Sequence, residues 1–261
     1  MITPDTLILG DCLEVMKEIT DKSIDAIICD LPYGVLNKGN KHTQWDNIVP
    51  FEPLWAHYRR IVKDNGAIVL FGQGMFTADL MQSARDLLRY NIIWHKDRAT
   101  GFLNAGKMPL RCHEDICVFY KSLPTYHAQM EDLNGREPSH PQGYGIHKQT
   151  NKCYGNVHRI ERYEPRDPNK KFPQSIIKIR KEHDNKQWHP TQKPVELLRY
   201  LIRTYTNEGE TVLDNCIGSG TTAVAAIREN RHYIGIEKNE EYFNLASKRI
   251  ETEKAQLTLQ I

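Results

Sequence analysis

Apolar residues fall in short runs along this chain, and amphipathic stretches separate the runs. The runs predict strands at Thr6–Leu9, Ile24–Cys29, Ala67–Phe71, Asn91–Trp94, Asp115–Tyr120, Thr211–Leu213 and Tyr233–Ile236. Apolar positions at helical spacing predict helices at Asp11–Glu18, Phe51–Val62, Met75–Arg89, Pro194–Tyr205, Thr221–Glu229 and Glu240–Glu253. Pro194 suits a first helical turn, where its missing N–H costs nothing. Strands alternating with helices predict an α/β fold on a parallel sheet. The alternation breaks between about Ser122 and Pro190, where Pro, Gly, Asn and His accumulate and no period is sustained. That interval reads as a loop-rich insertion, residues 122–189, between halves spanning 1–121 and 190–261. Neither an internal repeat nor a low-complexity tract is visible.

Composition narrows the class. A length of 261 residues holds one α/β domain with a sizeable insertion. The hydrophobic fraction of 39% and charged fraction of 26% are those of a soluble globular chain. No run approaches the ~18 apolar residues of a membrane span, and the start lacks the features of a signal peptide. The expected location is the cytoplasm. Six cysteines without a CxxC pair suit reduced thiols there better than disulfides. Cys112, His113 and Cys117 fit zinc spacing poorly and are better explained by a strand, so no metal is expected. The net charge of +2 does not by itself announce a nucleic-acid binder. Its distribution is more telling. Residues 122–189 carry 12 Lys and Arg against 8 Asp and Glu, and the rest of the chain 23 against 25. Six aromatics and six histidines interleave with those basic residues, which suits phosphates and bases; a solvated polar insertion is the alternative.

Two clusters carry chemistry. The first runs Asp214-Asn215-Cys216-Ile217-Gly218-Ser219-Gly220-Thr221-Thr222, from a predicted strand through a glycine turn into a helix. Glycines let backbone approach a ligand closely, and a helix N-terminus offers free N–H groups to a carboxylate or phosphate. Glu237 ends the next predicted strand, where a carboxylate can accept from both ribose hydroxyls of a nucleoside. The spacing is not the GxGxxG of a dinucleotide site, and the reading favoured over a plain tight turn is nucleoside binding. The second cluster, Cys29-Asp30-Leu31-Pro32-Tyr33-Gly34, ends another strand. Asp30 and a neighbouring backbone carbonyl suit the two N–H groups of an exocyclic amine, and the Tyr33 ring suits the face of an extruded base. Taken alone, this cluster is equally a strand closing on a proline turn.

Together the clusters resemble the DNA amino-methyltransferases, whose catalytic motif is [D/N/S]-P-P-[Y/F/W] and whose cofactor motif carries GxG after a strand. His189-Pro190-Thr191-Gln192-Lys193-Pro194 resembles the family's HPxxKP element. Gly10-Asp11-Cys12, Trp94-His95-Lys96 and His113-Glu114-Asp115-Ile116 are similar to further family motifs. The catalytic motif precedes the cofactor motif here, as in the beta class. The resemblance implies a circularly permuted class I (Rossmann-like) methyltransferase sheet with an inserted target-recognition region. It also implies S-adenosylmethionine as cofactor and double-stranded DNA as substrate, with methyl transfer to adenine N6 after base flipping. By the same resemblance, Asp30, Leu31, Pro32 and Tyr33 hold the base, with the Leu31 carbonyl replacing that of the usual first proline. Asp214, Gly218, Ser219, Gly220, Thr221 and Thr222 hold the methionine part of the cofactor, and Glu237 its ribose. Asp11 and Cys12 contact its adenine, Thr191 and Lys193 lie toward its carboxylate, and Asp30 borders it.

Asp at the first motif position resembles adenine-modifying members, whereas Ser is commoner among cytosine-N4 enzymes. Methylation of RNA or of a protein glutamine uses a related motif, but the permuted order and the basic, aromatic insertion favour DNA. A binding module that has lost catalysis is disfavoured by the presence of Asp30, Tyr33, Gly218 and Gly220. Residues Val35–Asp46, with Lys38, Lys41 and His42, suit a flap over flipped DNA, and an ordinary disordered loop accounts for them equally. A cognate restriction endonuclease is a possible companion, and either a monomer or a homodimer is compatible with the family.

Overall fold

The computed structural model describes residues 1–36, 46–133, 167, 169–180 and 192–258. These fall into two compact units, one combining Met1–His127 with Ser175–Ile261 and the other spanning Ala128–Gln174. In chain order the larger unit contains strand β1 (Thr6–Leu9), helix α1 (Cys12–Val15), β2 (Ile24–Cys29), α2 (Phe51–Ile61), β3 (Val62–Gly72) and α3 (Met75–Ser83). The hairpin β4 (Leu88–Thr100) and β5 (Arg111–Phe119) follows. In the smaller unit, β6 (Glu131–Asp132) pairs antiparallel with β7 (Lys170–Lys171). The larger unit resumes with β8 (Ile176–Lys178), α4 (Val195–Tyr205), β9 (Thr211–Asp214), α5 (Thr221–Arg228), β10 (His232–Glu237) and α6 (Glu240–Thr258).

The sheet of the larger unit has the order β1-β10-β9-β2-β3-β5-β4-β8. From β1 to β3 all pairings are parallel, and β5 runs antiparallel to both β3 and β4. Each face is covered. Leu197, Leu198, Leu201 and Ile202 of α4, with Ala223 to Ala226 of α5, pack on one face with Ala26, Ile28 and Val69. Leu54, Tyr58 and Ile61 of α2, with Phe76 and Leu80 of α3, pack on the other with Ile27, Cys29 and Leu70. Every residue of β2 is buried, which is why the strand reads as an apolar run broken only by Asp25. The Asp25 carboxylate accepts from the Lys63 ammonium at 2.5 Å and the Thr211 N–H at 2.9 Å.

The direction of winding changes between β9 and β2. From β9 the chain passes to β10 on one side, and from β2 to β3 on the other. Open α/β sheets bind ligands in the crevice outside the strand ends at such a point. Both chemical clusters begin there, since Asp214 ends β9 and Asp30 follows β2.

Three elements differ from the periodicity. The helix expected to reach Arg89 stops at Ser83, because Leu88 is drawn into the sheet opposite Phe119. The helix expected over Asp11–Glu18 tightens to a 3-10 turn at Met16–Glu18, where the Arg60 guanidinium takes the Met16 carbonyl at 2.6 Å. The interval expected to be loop supplies an edge strand, β8, with Ile177 buried and the Trp94 indole donating to the Ile179 carbonyl at 2.9 Å.

Candidate active site

A cavity of about 610 Å³ opens at the strand ends where the winding reverses. Its cofactor-motif side is built from the end of β9. Asp214 is buried, and its Oδ2 accepts from the Thr222 hydroxyl at 2.5 Å while Oδ1 accepts from the Cys216 N–H at 3.1 Å. These bonds tie the strand end to the first turn of α5. Burial raises the Asp214 pKa to about 6. Gly218 has φ +54°, and no heavy atom lies within 4 Å of where its Cβ would stand. The space beside its backbone is therefore open. The Gly218 N–H donates to Glu237 Oε2 at 2.8 Å, and the Asn239 N–H donates to Glu237 Oε1 at 2.8 Å. Burial holds the Glu237 carboxyl above its ordinary range despite these donors.

Beside Glu237, at the end of the neighbouring strand β1, Asp11 caps α1, accepting from the Leu13 N–H at 3.0 Å, and takes the Lys238 ammonium at 2.9 Å. The Lys238 hydrogen bond lowers its pKa. Cys12 is buried next to it. Ser219 and Thr221 are held by Arg249, which donates to the Ser219 carbonyl at 3.2 Å and to the Thr221 hydroxyl at 2.9 Å. Gly220 does not line the cavity. It has φ +81°, and a Cβ there would stand 3.1 Å from the Ala246 Cβ, so this glycine admits α6. Thr191, with His189 and Pro190, lies outside the described residues.

Asp30, Leu31, Pro32 and Tyr33, the tetrad of the second motif, line the same cavity. The Tyr33 hydroxyl donates to Asp30 Oδ1 at 2.7 Å, and the Tyr33 ring stacks on Phe76 with centroids 4.7 Å apart. The Leu31 side chain is buried, while Pro32 and Tyr33 are partly exposed. Lys193, expected toward a cofactor carboxylate, lines the cavity with its ammonium donating to Asp30 Oδ2. It also stands 3.2 Å from Glu114 Oε2.

Two groups were not assigned from the sequence. Glu114 was noted only within a strand motif, yet the β4/β5 register sets it opposite Trp94 and pairs its carboxylate with Lys96. The two motifs are thus one piece of architecture, which spacing along the chain does not reveal. Asp46 is buried and fastens the segment after the tetrad, accepting from the Gly34 N–H at 2.9 Å and the Leu36 N–H at 2.7 Å. Lys38, Lys41 and His42 lie outside the described residues. Among the described residues no group of three or more His, Cys, Asp or Glu is placed to hold a metal, and no helix is long and apolar enough to cross a membrane.

The model of the N6/N4 family described as "DNA methylase" matches residues 24–248, most of the chain. The chain belongs to this family. The methylase is 28% identical over 273 residues to the Type II methyltransferase M.HinfI of Haemophilus influenzae, covering 94% of this chain and 68% of that protein. Its fold matches the M1.HpyAVI–SAM complex with a TM-score of 0.61 at 22% identity, covering 94% of this chain and 98% of the other. It also matches the PvuII DNA methyltransferase, described as cytosine-N4-specific, with a TM-score of 0.68 at 17% identity, covering 95% and 87%. The methylase therefore has the permuted class I methyltransferase sheet, and its family transfers methyl groups from S-adenosylmethionine to exocyclic amines of DNA bases.

Proposed function

We propose that the methylase modifies adenine N6 in double-stranded DNA, using S-adenosylmethionine bound along the glycine turn. The observation that carries this reading is that Asp30 and Tyr33 line one cavity together with Gly218 and Glu237. The residues present fit the cofactor. Gly218 leaves open space beside its backbone, and Glu237 presents a half-buried carboxylate suited to ribose hydroxyls. Asp11 and Cys12 line the same cavity next to Glu237 and suit an adenine ring there, and Asp214, Ser219, Thr221 and Thr222 shape the turn. When bound, S-adenosylmethionine supplies an electrophilic sulfonium methyl group.

The chain's own task is to make a poor nucleophile competent. The lone pair of an exocyclic amine is delocalised into the base, and acceptors on its two N–H groups draw the nitrogen toward tetrahedral geometry. Asp30 and the Leu31 carbonyl are those acceptors in this reading, and Pro32 and Tyr33 shape the base pocket. Asp at the first motif position favours adenine, although the fold is shared with a cytosine-N4 enzyme. The described cysteines are all free thiols, in keeping with a cytoplasmic site of action beside the DNA. A cognate restriction endonuclease is compatible with this reading, as is the similarity to a Type II methyltransferase.

Digesting duplex DNA treated with the purified protein and labelled cofactor, then separating the nucleosides, tests the assignment. Label is expected in N6-methyladenine. Label confined to N4-methylcytosine would transfer the same site to the other base.

A further inference from the structure

The tetrad's acid does not stand alone in the cavity. Its Oδ1 accepts from Tyr33, and its Oδ2 accepts from Lys193, which is only 8% exposed. Lys193 Nζ also lies 3.2 Å from Glu114 Oε2, 5.0 Å from the Phe71 ring centroid and 5.9 Å from that of Tyr33. Glu114 in turn pairs with Lys96, whose ammonium is 5.5 Å from the Trp94 ring centroid. Two carboxylates and two ammonium groups thus alternate through this end of the cavity, with no net charge and aromatic rings around them.

We propose that Lys193 is a positioning residue for Asp30, keeping its carboxylate ionised and aimed as a hydrogen-bond acceptor for the target amine, with Glu114 moderating its charge. The proposal rests on the reading of Asp30 as that acceptor. The chemistry follows from the two states of a carboxyl group. An ionised carboxylate only accepts hydrogen bonds, whereas a protonated one presents an O–H donor. A donor turned toward an amine N–H cannot draw out its lone pair. A carboxyl group buried without a cation takes up a proton, and a cation within ~4–6 Å lowers its pKa by about 1–3 units.

The surroundings agree. Burial holds Asp30 above the usual carboxylate range even with the Lys193 ammonium pulling it down. Burial would lower Lys193, but the Asp30 and Glu114 carboxylates overcome this and hold it above the ordinary lysine range. Glu114 raises Asp30 through space, so it opposes the lysine's effect. The remaining titratable neighbours of Asp30 are Tyr33 and Cys29 on its own segment and Asp214 at the end of β9. Burial pushes the Cys29 thiol up to about 12, clear of the acid range, whereas Asp214 at about 6 titrates within it.

The test measures single-turnover methyl transfer against pH in Lys193→Met and Glu114→Gln, with cofactor affinity measured in parallel. Lys193→Met is expected to move the acid limb up by about 1–3 units, restoring much of the rate at high pH and leaving cofactor affinity in place. Glu114→Gln is expected to move the limb down. Isotope-edited infrared spectroscopy of the aspartates gives a readout independent of turnover. A protonated-carboxyl band beyond that of the unaltered chain should appear near neutral pH in Lys193→Met and vanish when Asp30→Asn is added, whereas no added band, or one that survives Asp30→Asn, would overturn the proposal. A rate lowered equally at every pH would also overturn it, because that marks a merely structural lysine. So would cofactor affinity weakened tenfold, on the order of 1.4 kcal/mol, with the limb unmoved, because that places Lys193 on the cofactor carboxylate. Should Lys193→Met fail to fold, Lys193→Gln takes its place: an upward shift of the acid limb supports the proposal, and an unmoved limb defeats it. Asp30→Ala separates the two layers. Full activity there removes the reading of Asp30, while loss of activity with an unmoved Lys193→Met profile removes only the role of Lys193.

Discussion

At the scale of single residues, the tetrad and the turn are held by different partners although they border one cavity. Asp30 meets the other charged groups of the catalytic end, whereas Glu237 is fixed by backbone N–H groups across the cavity. Asp30→Ala is therefore expected to lower methyl transfer by ~10²-fold or more, as when one positioned catalytic group is lost, while cofactor affinity stays near that of the unaltered chain. Glu237→Ala is expected to do the reverse, weakening the cofactor by about 1–3 kcal/mol. Calorimetry on both variants beside a transfer assay checks the division, and a crossed result would reverse the two assignments. The identities of these residues were legible in the sequence because each ends a predicted strand. Their partners were not. Lys193 lies 163 positions from Asp30, and only the folded sheet brings them into contact. Asp46 was legible only as the end of a polar loop, since its role depends on two backbone N–H groups at Gly34 and Leu36.

Elements were legible where burial follows one period and illegible where tertiary contacts override it. The strand β2 was predicted with its observed ends, because both faces of the sheet bury it completely. The end of α3 was not, because Leu88 and its neighbours satisfy a helical pattern as well as a strand one and the pairing with β5 decides between them. The glycine turn shows a subtler limit. Sequence reasoning treats Gly218 and Gly220 alike, as backbone beside a ligand. In the fold only Gly218 lines the cavity, and Gly220 faces Ala246 of α6. Both have positive φ, so both resist substitution, but by different routes. Gly220→Val is expected to destabilise the fold by about 1–3 kcal/mol through overpacking against α6, in addition to its backbone strain. Gly218→Val is expected to weaken cofactor affinity more than Gly220→Val does, since its side chain has open space to enter. Denaturant unfolding and cofactor titration of both variants test this. If Gly220→Val unfolds at the same denaturant concentration as the unaltered chain, the α6 contact is not what that glycine serves.

For the molecule as a whole, motif order carried more than periodicity. Alternating strands and helices suit many α/β sheets, but a catalytic motif ahead of a cofactor motif points to a permuted one, and the winding reversal between β9 and β2 places both motifs at one crevice. The insertion is the part the sequence described least well. Its basic and aromatic character suits DNA, yet its pattern did not predict the β6/β7 pair or the edge strand β8. The structure also ranks its basic residues. Lys170 is exposed, whereas Lys171 is ion-paired with Glu131 at 2.8 Å, and Arg159 and Arg162 lie outside the described residues. If this region holds the duplex through phosphates, each lost contact lowers the slope of log affinity against log salt by ~0.9, because fewer counterions are released. Lys170→Gln is therefore expected to flatten the slope by about that amount. Lys171→Gln should change it less, because its partner already neutralises part of its charge. Replacing Arg159 and Arg162 in addition should flatten the slope further while cofactor affinity holds, since the described residues that line the proposed cofactor cavity all belong to the larger unit. Fluorescence anisotropy of a labelled duplex across a salt series measures all of these. A slope unchanged in the fourfold variant, with normal folding, would make the insertion a solvated elaboration and move the search for the DNA surface to Lys38 and Lys41.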